Sequence, residues 1–295
     1  MPSSSCASVQ DGSRGREYTR WPEGLKTTLG DEVEDAVEET FLLFTKEIPS
    51  QSLGFVDSKA ITLDIDVGKR TFMVQQSPGI LHSNRAAGTT GAVLWKITPL
   101  VANWLSSTEC FLWQLGWLRS DSTIVELGCG ISGLIPCAMA PLLPSGVYVL
   151  TDQAYVMKLL HHNVFANQKQ QSLGRSTREE LQIQPFTFDW ETDAASNIST
   201  LLGKDKEVDL ILACDCIYNE YLIRPFVSTC ASLCALRSSS SQRTVLLIAQ
   251  QLRSEDVLQM WLDEMLKSFL IFRVPDRLLP EELRNGYAIH IAIVR

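Results

Sequence analysis

The run Ile124-Val125-Glu126-Leu127-Gly128-Cys129-Gly130-Ile131-Ser132-Gly133-Leu134 holds the strongest chemical signal in the chain. Glycines without Cβ atoms let the backbone approach a ligand closely, at the point where a following helix presents unpaired N–H groups. Taken alone, this Gly-x-Gly-x-x-Gly also suits a dinucleotide. Glu126 precedes Gly128 by two positions and can meet a cationic or hydrogen-bonding part of a ligand, whereas a pyrophosphate would be repelled there. Twenty-four residues past Gly128, the run Val147–Thr151 ends in Asp152. That is where doubly wound sheets bind ribose hydroxyls, although an aspartate so placed can also cap a helix.

Two further acids end apolar runs. Phe188-Asp189-Trp190-Glu191 offers Asp189 to an adenine amino group and the Trp190 indole to cover its face, with plain packing as the alternative for the ring. Leu212-Ala213-Cys214-Asp215-Cys216-Ile217-Tyr218 brings Asp215 to the carboxyl edge of a sheet, where open α/β folds keep their ligands; helix capping is again the alternative. No Cys-x-x-Cys occurs, and His82, His161, His162 and His290 have no zinc-like spacing, so no metal is expected. Cys129, Cys137, Cys214 and Cys216 lie in apolar runs and read as small hydrophobes without disulfides.

These residues need a scaffold, and the pattern supplies one. Thr123–Leu127, Val147–Thr151, Ile183–Phe188, Val208–Cys214 and Thr244–Gln250 read as strands with helix-length segments between them. This predicts a Rossmann-like α/β fold: a seven-stranded, mostly parallel sheet. Leu270–Val274 and Tyr287–Val294 would form its antiparallel C-terminal edge after a helix over Glu255–Phe269. Upstream, Ala60–Val67 and Arg70–Gln76 alternate about Gly68-Lys69 and predict a β-hairpin. Thr98-Pro99 reads as the start of one helix with Leu100, Trp104, Phe111, Leu115 and Leu118 on its apolar face. Val33, Val37, Phe41 and Phe44 predict an amphipathic helix over Asp31–Lys46, packed on the core by that stripe, with an acid-rich first half that could also help recruit a basic partner. The expected organisation is a flexible leader over 1–30, a helix and hairpin extension over 31–90, and the catalytic domain over 91–295. Ser238–Ser241 reads as a solvated loop.

The chain has 295 residues, 45% hydrophobic and 20% charged, with 26 basic against 34 acidic side chains and a formal charge of −8. That composition excludes fibrous and wholly disordered classes and disfavours direct nucleic-acid binding, which takes clustered Lys and Arg. Ile131–Leu143, the longest apolar candidate for a membrane span, is broken by Pro136 and Pro141. The first residues lack the basic-then-apolar order of a secretory signal, so a cytoplasmic location is expected; a monomer is expected as well.

Glu-Leu-Gly-x-Gly-x-x-Gly, Asp152, Asp189-Trp190 and Asp215-x-x-Tyr218 together resemble the seven-β-strand S-adenosylmethionine-dependent methyltransferases, in the protein-lysine branch carrying Asp-x-x-Tyr. Within that branch, Val93–Pro99, Gly130–Gly133, Thr151-Asp152-Gln153, Ile217–Ile223 and Leu252-Arg253-Ser254 resemble the fungal ribosomal lysine methyltransferase 5 family, from about Ile61 onward. The resemblance implies S-adenosyl-L-methionine as methyl donor and a lysine of a large-subunit ribosomal protein as acceptor. By the same resemblance Trp95, Gly128, Cys129, Gly130, Asp152, Trp190 and Cys214 match donor contacts. Asp215 would orient the amine and Tyr218 line its channel. Members of the branch also act on chaperones and elongation factors. A nicotinamide-dependent oxidoreductase would explain the glycines and Asp152, but neither Glu126 nor Asp215-x-x-Tyr218. A catalytically silent binding module would keep the fold without turnover.

Overall fold

The computed structural model describes residues 23–46, 48, 54–85, 88–172, 180–203, 206–237 and 243–295. The first 22 residues of the expected leader and the serine run at 238–241 lie outside the described residues. Residues 23–30 do not continue a leader. Helix α1 (Glu23–Leu29) buries Leu25 and Leu29 in the core, which gives this stretch the packing that an aperiodic tail lacks.

Helix α2 (Ala36–Phe44) is shorter than expected and turned the other way. Asp35 caps it, its carboxylate accepting from the amides of Val37 and Glu38 at 2.8 and 2.9 Å. The buried face carries Ala36, Glu39, Thr40 and Leu43, while Val37 and Phe41 are exposed. Glu39 goes inward because partners from the far end of the chain meet it: His290 Nε2 lies 2.9 Å and Arg273 Nη1 3.4 Å from its carboxylate.

Strands β1 (Thr62–Val67) and β2 (Arg70–Gln75) form the expected hairpin, with Gly68 at φ +59 in the turn. The outer edge of β2 does not face solvent bare. Asn167 accepts from Met73 N at 3.1 Å and donates to Met73 O at 2.9 Å, and Asn163 treats Gln75 the same way at 2.9 and 2.8 Å. A short helix α3 (Pro78–Leu81) follows. The expected long helix after it is two: α4 (Ile97–Leu105) and α5 (Phe111–Gln114), parted at Ser106, Ser107 and Thr108, so Leu115 ends up 39% exposed.

The remainder alternates: β3 (Thr123–Leu127), α6 (Leu134–Met139), β4 (Val147–Asp152), α7 (Ala154–Ser172), β5 (Gln182–Thr187), α8 (Ser196–Leu202), β6 (Leu210–Cys214), α9 (Glu220–Ala235), β7 (Val245–Gln251), α10 (Glu255–Met265), β8 (Phe269–Arg273) and β9 (Tyr287–Val294). The sheet order is β5-β4-β3-β6-β7-β9-β8, parallel through β7 and antiparallel at β9 and β8. Both faces are covered. Ile124, Tyr148 and Leu150 point into one core cluster and Val125, Leu127, Val147 and Val149 into the other, the period-two signature of a sheet buried on both sides. Chain direction across the sheet reverses between β3 and β6, which opens a crevice at their carboxyl ends.

Candidate active site

That crevice holds a cavity of about 320 Å³, and all eleven residues singled out from the sequence line it: Trp95, Glu126, Gly128, Cys129, Gly130, Asp152, Asp189, Trp190, Cys214, Asp215 and Tyr218. A larger groove of about 850 Å³, between α2 and the β8–β9 connection, shares no lining residue with it.

The loop after β3 is shaped by its glycines. Gly128 and Gly130 stand at φ +64 and +62, the left-handed region where Cβ atoms clash. A Cβ on Gly128 would also lie 2.8 Å from Cys216 Sγ and 3.2 Å from the Trp190 ring. The loop is tied to β4: Cys129 N donates to Thr151 O at 3.0 Å, and Gly130 N donates to Asp152 Oδ2 at 2.8 Å. Asp152 therefore does not cap the next helix. Its other oxygen accepts from Gln153 N at 2.7 Å. Burial lifts its carboxyl to about pH 6 for half-titration, against the pull of those two amides.

Glu126 lies on the same sheet face as Ile124, where the strand pattern calls for an apolar side chain. Tyr148 on β4 answers it, donating to Oε2 at 2.6 Å. Burial raises the Glu126 pKa from 4.5 to about 8; the tyrosine bond opposes the rise and nearby Asp152 adds to it. The acid is thus mostly protonated at neutral pH when nothing cationic faces it.

Across the cavity, Asp189 accepts from Glu191 N at 3.0 Å and from Gln153 Nε2 at 3.3 Å. Trp190 stands edge-on to Phe226 at 5.2 Å, so it packs and lines the cavity at once. Trp95 donates its indole N–H to Thr90 O at 3.0 Å and meets Phe55 at 4.5 Å between ring centroids. Cys129, Cys214 and Cys216 are free thiols whose pKa values burial pushes well up, so they serve as neutral wall atoms.

Asp215 follows β6 at φ +60, the one described non-glycine residue in that region. It does not cap α9; Asn219 does, accepting from Tyr221 N at 3.1 Å. Arg253 instead grips both Asp215 oxygens. Tyr218 is 45% exposed at the cavity mouth, its hydroxyl accepting from Thr90 Oγ1 at 3.2 Å.

Sequence reasoning gave no role to Tyr148 or Tyr155, nor to Gln153 and Arg253, which it noted only within the Thr151-Asp152-Gln153 and Leu252-Arg253-Ser254 resemblances. Tyr155 takes Gly91 N on its hydroxyl at 3.0 Å and so holds the segment that faces Gly130. For Tyr148 a signal existed: on adjacent parallel strands, a glutamate of core parity needs a donor of the same parity.

Among the described residues lining the cavity, five are acids (Glu126, Asp152, Asp189, Glu191, Asp215) and none is Lys, Arg or His; burial keeps Glu126 mostly protonated and Arg253, outside the lining, pairs with Asp215, so the acids left without a compensating proton or guanidinium are Asp152, Asp189 and Glu191. Such a wall attracts a cation and repels a pyrophosphate. S-adenosyl-L-methionine, a nucleoside with a positively charged sulfur, fits that test, with acids for its hydroxyl and amino groups and indoles for its base; a nicotinamide dinucleotide does not.

Comparison with known proteins agrees. The lysine methyltransferase family profile matches residues 75–267. The chain is 28% identical to the ribosomal lysine N-methyltransferase 5 of Candida glabrata over 81% of this chain and 90% of that one. It is 27% identical to the protein of the same name from Vanderwaltozyma polyspora over 90% and 99%. It is also 33% identical to a diaminohydroxyphosphoribosylamino-pyrimidine deaminase of Schizosaccharomyces pombe, over 77% of this chain and only 50% of that protein. With the family profile covering most of the chain and the cavity chemistry agreeing with it, this protein belongs to the lysine methyltransferase family and takes its methyl group from S-adenosyl-L-methionine.

Proposed function

We propose that this enzyme methylates a lysine of a large-subunit ribosomal protein in the cytoplasm. Two relatives named for ribosomal lysine methylation align with 81% and 90% of the chain, and that correspondence supports the choice of substrate. The observation that most directly supports the site is the cavity wall itself, which gathers five acids from Glu126 to Asp215 and no Lys, Arg or His, the nearest cation, Arg253, being paired with Asp215 outside the lining.

When bound, S-adenosyl-L-methionine supplies a methyl carbon activated by its sulfonium sulfur. In our reading the loop Gly128–Gly130 brings bare backbone to the amino-acid end of the donor, and Cys129 holds that loop to β4. Asp152 accepts the ribose hydroxyls, and Asp189 and Trp190 hydrogen-bond and cover the adenine. Trp95 and Cys214 complete the wall, and Glu126, ionised once a positive charge faces it, balances that charge.

The acceptor lysine enters beside Tyr218, whose ring lines the path of the aliphatic stem. A lysine amine has a pKa of about 10.4, so it must shed a proton before it can attack. Asp215 already accepts four hydrogen-bond donors. It is suited to orienting a neutral amine, and proton loss to water before the site closes suffices.

The test is to incubate the purified protein and labelled donor with ribosomal subunits and lysate from cells deleted for its gene, then locate the label by mass spectrometry. We expect it on a lysine of one large-subunit protein. Label confined to a chaperone or an elongation factor would overturn the ribosomal assignment, and donor binding without transfer to any protein would make the chain a silent binding module.

A further inference from the structure

The geometry points to Arg253 as a positioning residue for methyl transfer, one that acts on the incoming lysine through Asp215. This rests on the reading of Asp215 as the group that meets the amine.

Asp215 holds a backbone conformation that L-residues avoid, so its surroundings must impose it. Its amide donates to Ala249 O at 2.8 Å. Its Oδ1 accepts from Gln250 Nε2 at 3.0 Å, Gln251 N at 3.3 Å and Arg253 Nη1 at 2.6 Å, and its Oδ2 accepts from Arg253 Nη2. Oδ1 is therefore fully subscribed, while Oδ2 keeps one lone pair. The guanidinium fork decides which oxygen, and which direction from it, is left for a substrate N–H.

Arg253 can impose this because it is itself held by further partners. Nη2 also donates to Gln251 Oε1 at 2.7 Å, and the guanidinium carbon lies 5.0 Å from the centre of the Trp95 ring. Gly54 closes over the pair: a Cβ there would lie 2.1 Å from Gln251 Oε1 and 2.6 Å from Arg253 Nη2. One planar cation thus bridges the indole on the donor side and the carboxylate on the acceptor side. A lysine in its place keeps the charge but offers no fork.

The test separates this from a structural role and does not need the protein substrate. The probes are S-adenosyl-L-homocysteine and a bisubstrate analogue in which the sulfur is replaced by nitrogen bearing an aminobutyl arm, titrated calorimetrically into the full chain. The amine arm is expected to improve affinity at least tenfold over S-adenosyl-L-homocysteine in the unchanged protein. Arg253→Met should erase that increment while S-adenosyl-L-homocysteine affinity stays within about threefold and the melting curve stays cooperative. Arg253→Lys should restore part of it, and Arg253→Met should remove nothing more in an Asp215→Asn background. An unchanged increment in Arg253→Met, equal costs in both backgrounds, or parallel loss of S-adenosyl-L-homocysteine binding would each overturn the proposal. No increment in the unchanged protein would instead sink the reading of Asp215 itself, and the role of Arg253 with it.

Discussion

Tyr148 and Glu126 form a hydrogen-bonded pair across adjacent parallel strands, 2.6 Å between oxygens, with the tyrosine in the hydrophobic core and the glutamate at the cavity wall. Because burial raises the Glu126 pKa from 4.5 to about 8, the folded state holds this proton more tightly than the unfolded chain does. The resulting stability is fully present below about pH 4.5 and is lost as pH rises through about 8. Glu126→Gln should therefore flatten the dependence of melting temperature on pH in that window and melt several degrees above the unchanged protein at pH 9, at the cost of donor affinity. Parallel melting curves from pH 5 to 9 would refute the burial argument.

Asp152 titrates in the folded state near pH 6, and its ionised form is the better acceptor for donor hydroxyls. Affinity for S-adenosyl-L-homocysteine should weaken as pH falls through about 6, and Asp152→Asn should weaken it at least tenfold at pH 7.5 while abolishing that dependence. Calorimetric titration at pH 5, 6, 7 and 8 measures both.

Asp215→Ala removes the proposed amine acceptor but none of the donor cradle. Methyl transfer should fall by a factor of about 10² or more while S-adenosyl-L-homocysteine affinity stays largely intact. Full turnover in this variant would exclude Asp215 from the site.

Gly133 stands at φ +57, and a Cβ there would lie 2.4 Å from Val164 Cγ2, against the packed flank of α7. Gly68, at φ +59 in the hairpin turn, has open space around its added Cβ. Gly133→Ala should cost about 2–4 kcal/mol, backbone strain plus overpacking, and Gly68→Ala only about 1 kcal/mol. Urea denaturation of the two variants compares them directly; equal losses would remove the steric part of the account.

Burial alone would raise the Glu39 pKa, yet the hydrogen bond and charge of His290, with Arg273 beyond, bring it below 4.5. Its contribution to stability is present above about pH 4.5 and fades as pH drops through the lowered value. Glu39→Ala, which leaves His290 without its partner, should cost about 3 kcal/mol at pH 7 by chemical denaturation and less at pH 3.

The legible parts of this molecule were those specified within a short stretch of chain. β3, β4 and β6 announced themselves as apolar runs closed by glycine or aspartate, and the acids at their carboxyl ends fell into one crevice because parallel strands put all such ends on one edge. What escaped was decided at a distance. Val37 and Phe41 have the right spacing for a core face, but Glu39 finds a partner 251 residues away, and that pairing rotates the helix. Arg253 lies 38 residues from Asp215, and although Leu252-Arg253-Ser254 stands out as part of the family resemblance, nothing local ties its side chain to that aspartate. The break between α4 and α5 was visible as a serine and threonine cluster, and an unbroken apolar periodicity read across it was the wrong guide.

The two carboxamides that Asn163 and Asn167 lend to β2 have one more consequence. A two-stranded ribbon ordinarily ends in a row of open amides and carbonyls, a template onto which another molecule's extended segment can grow. Here a helix imitates the missing neighbour, and it is the helix α7 that begins just past Asp152. Stripping the Asn167 carboxamide would reopen part of that template to another chain, whereas stripping that of Asn163 would also release Ile131 O in the glycine loop, which it holds at 2.7 Å, and so reach the cavity as well.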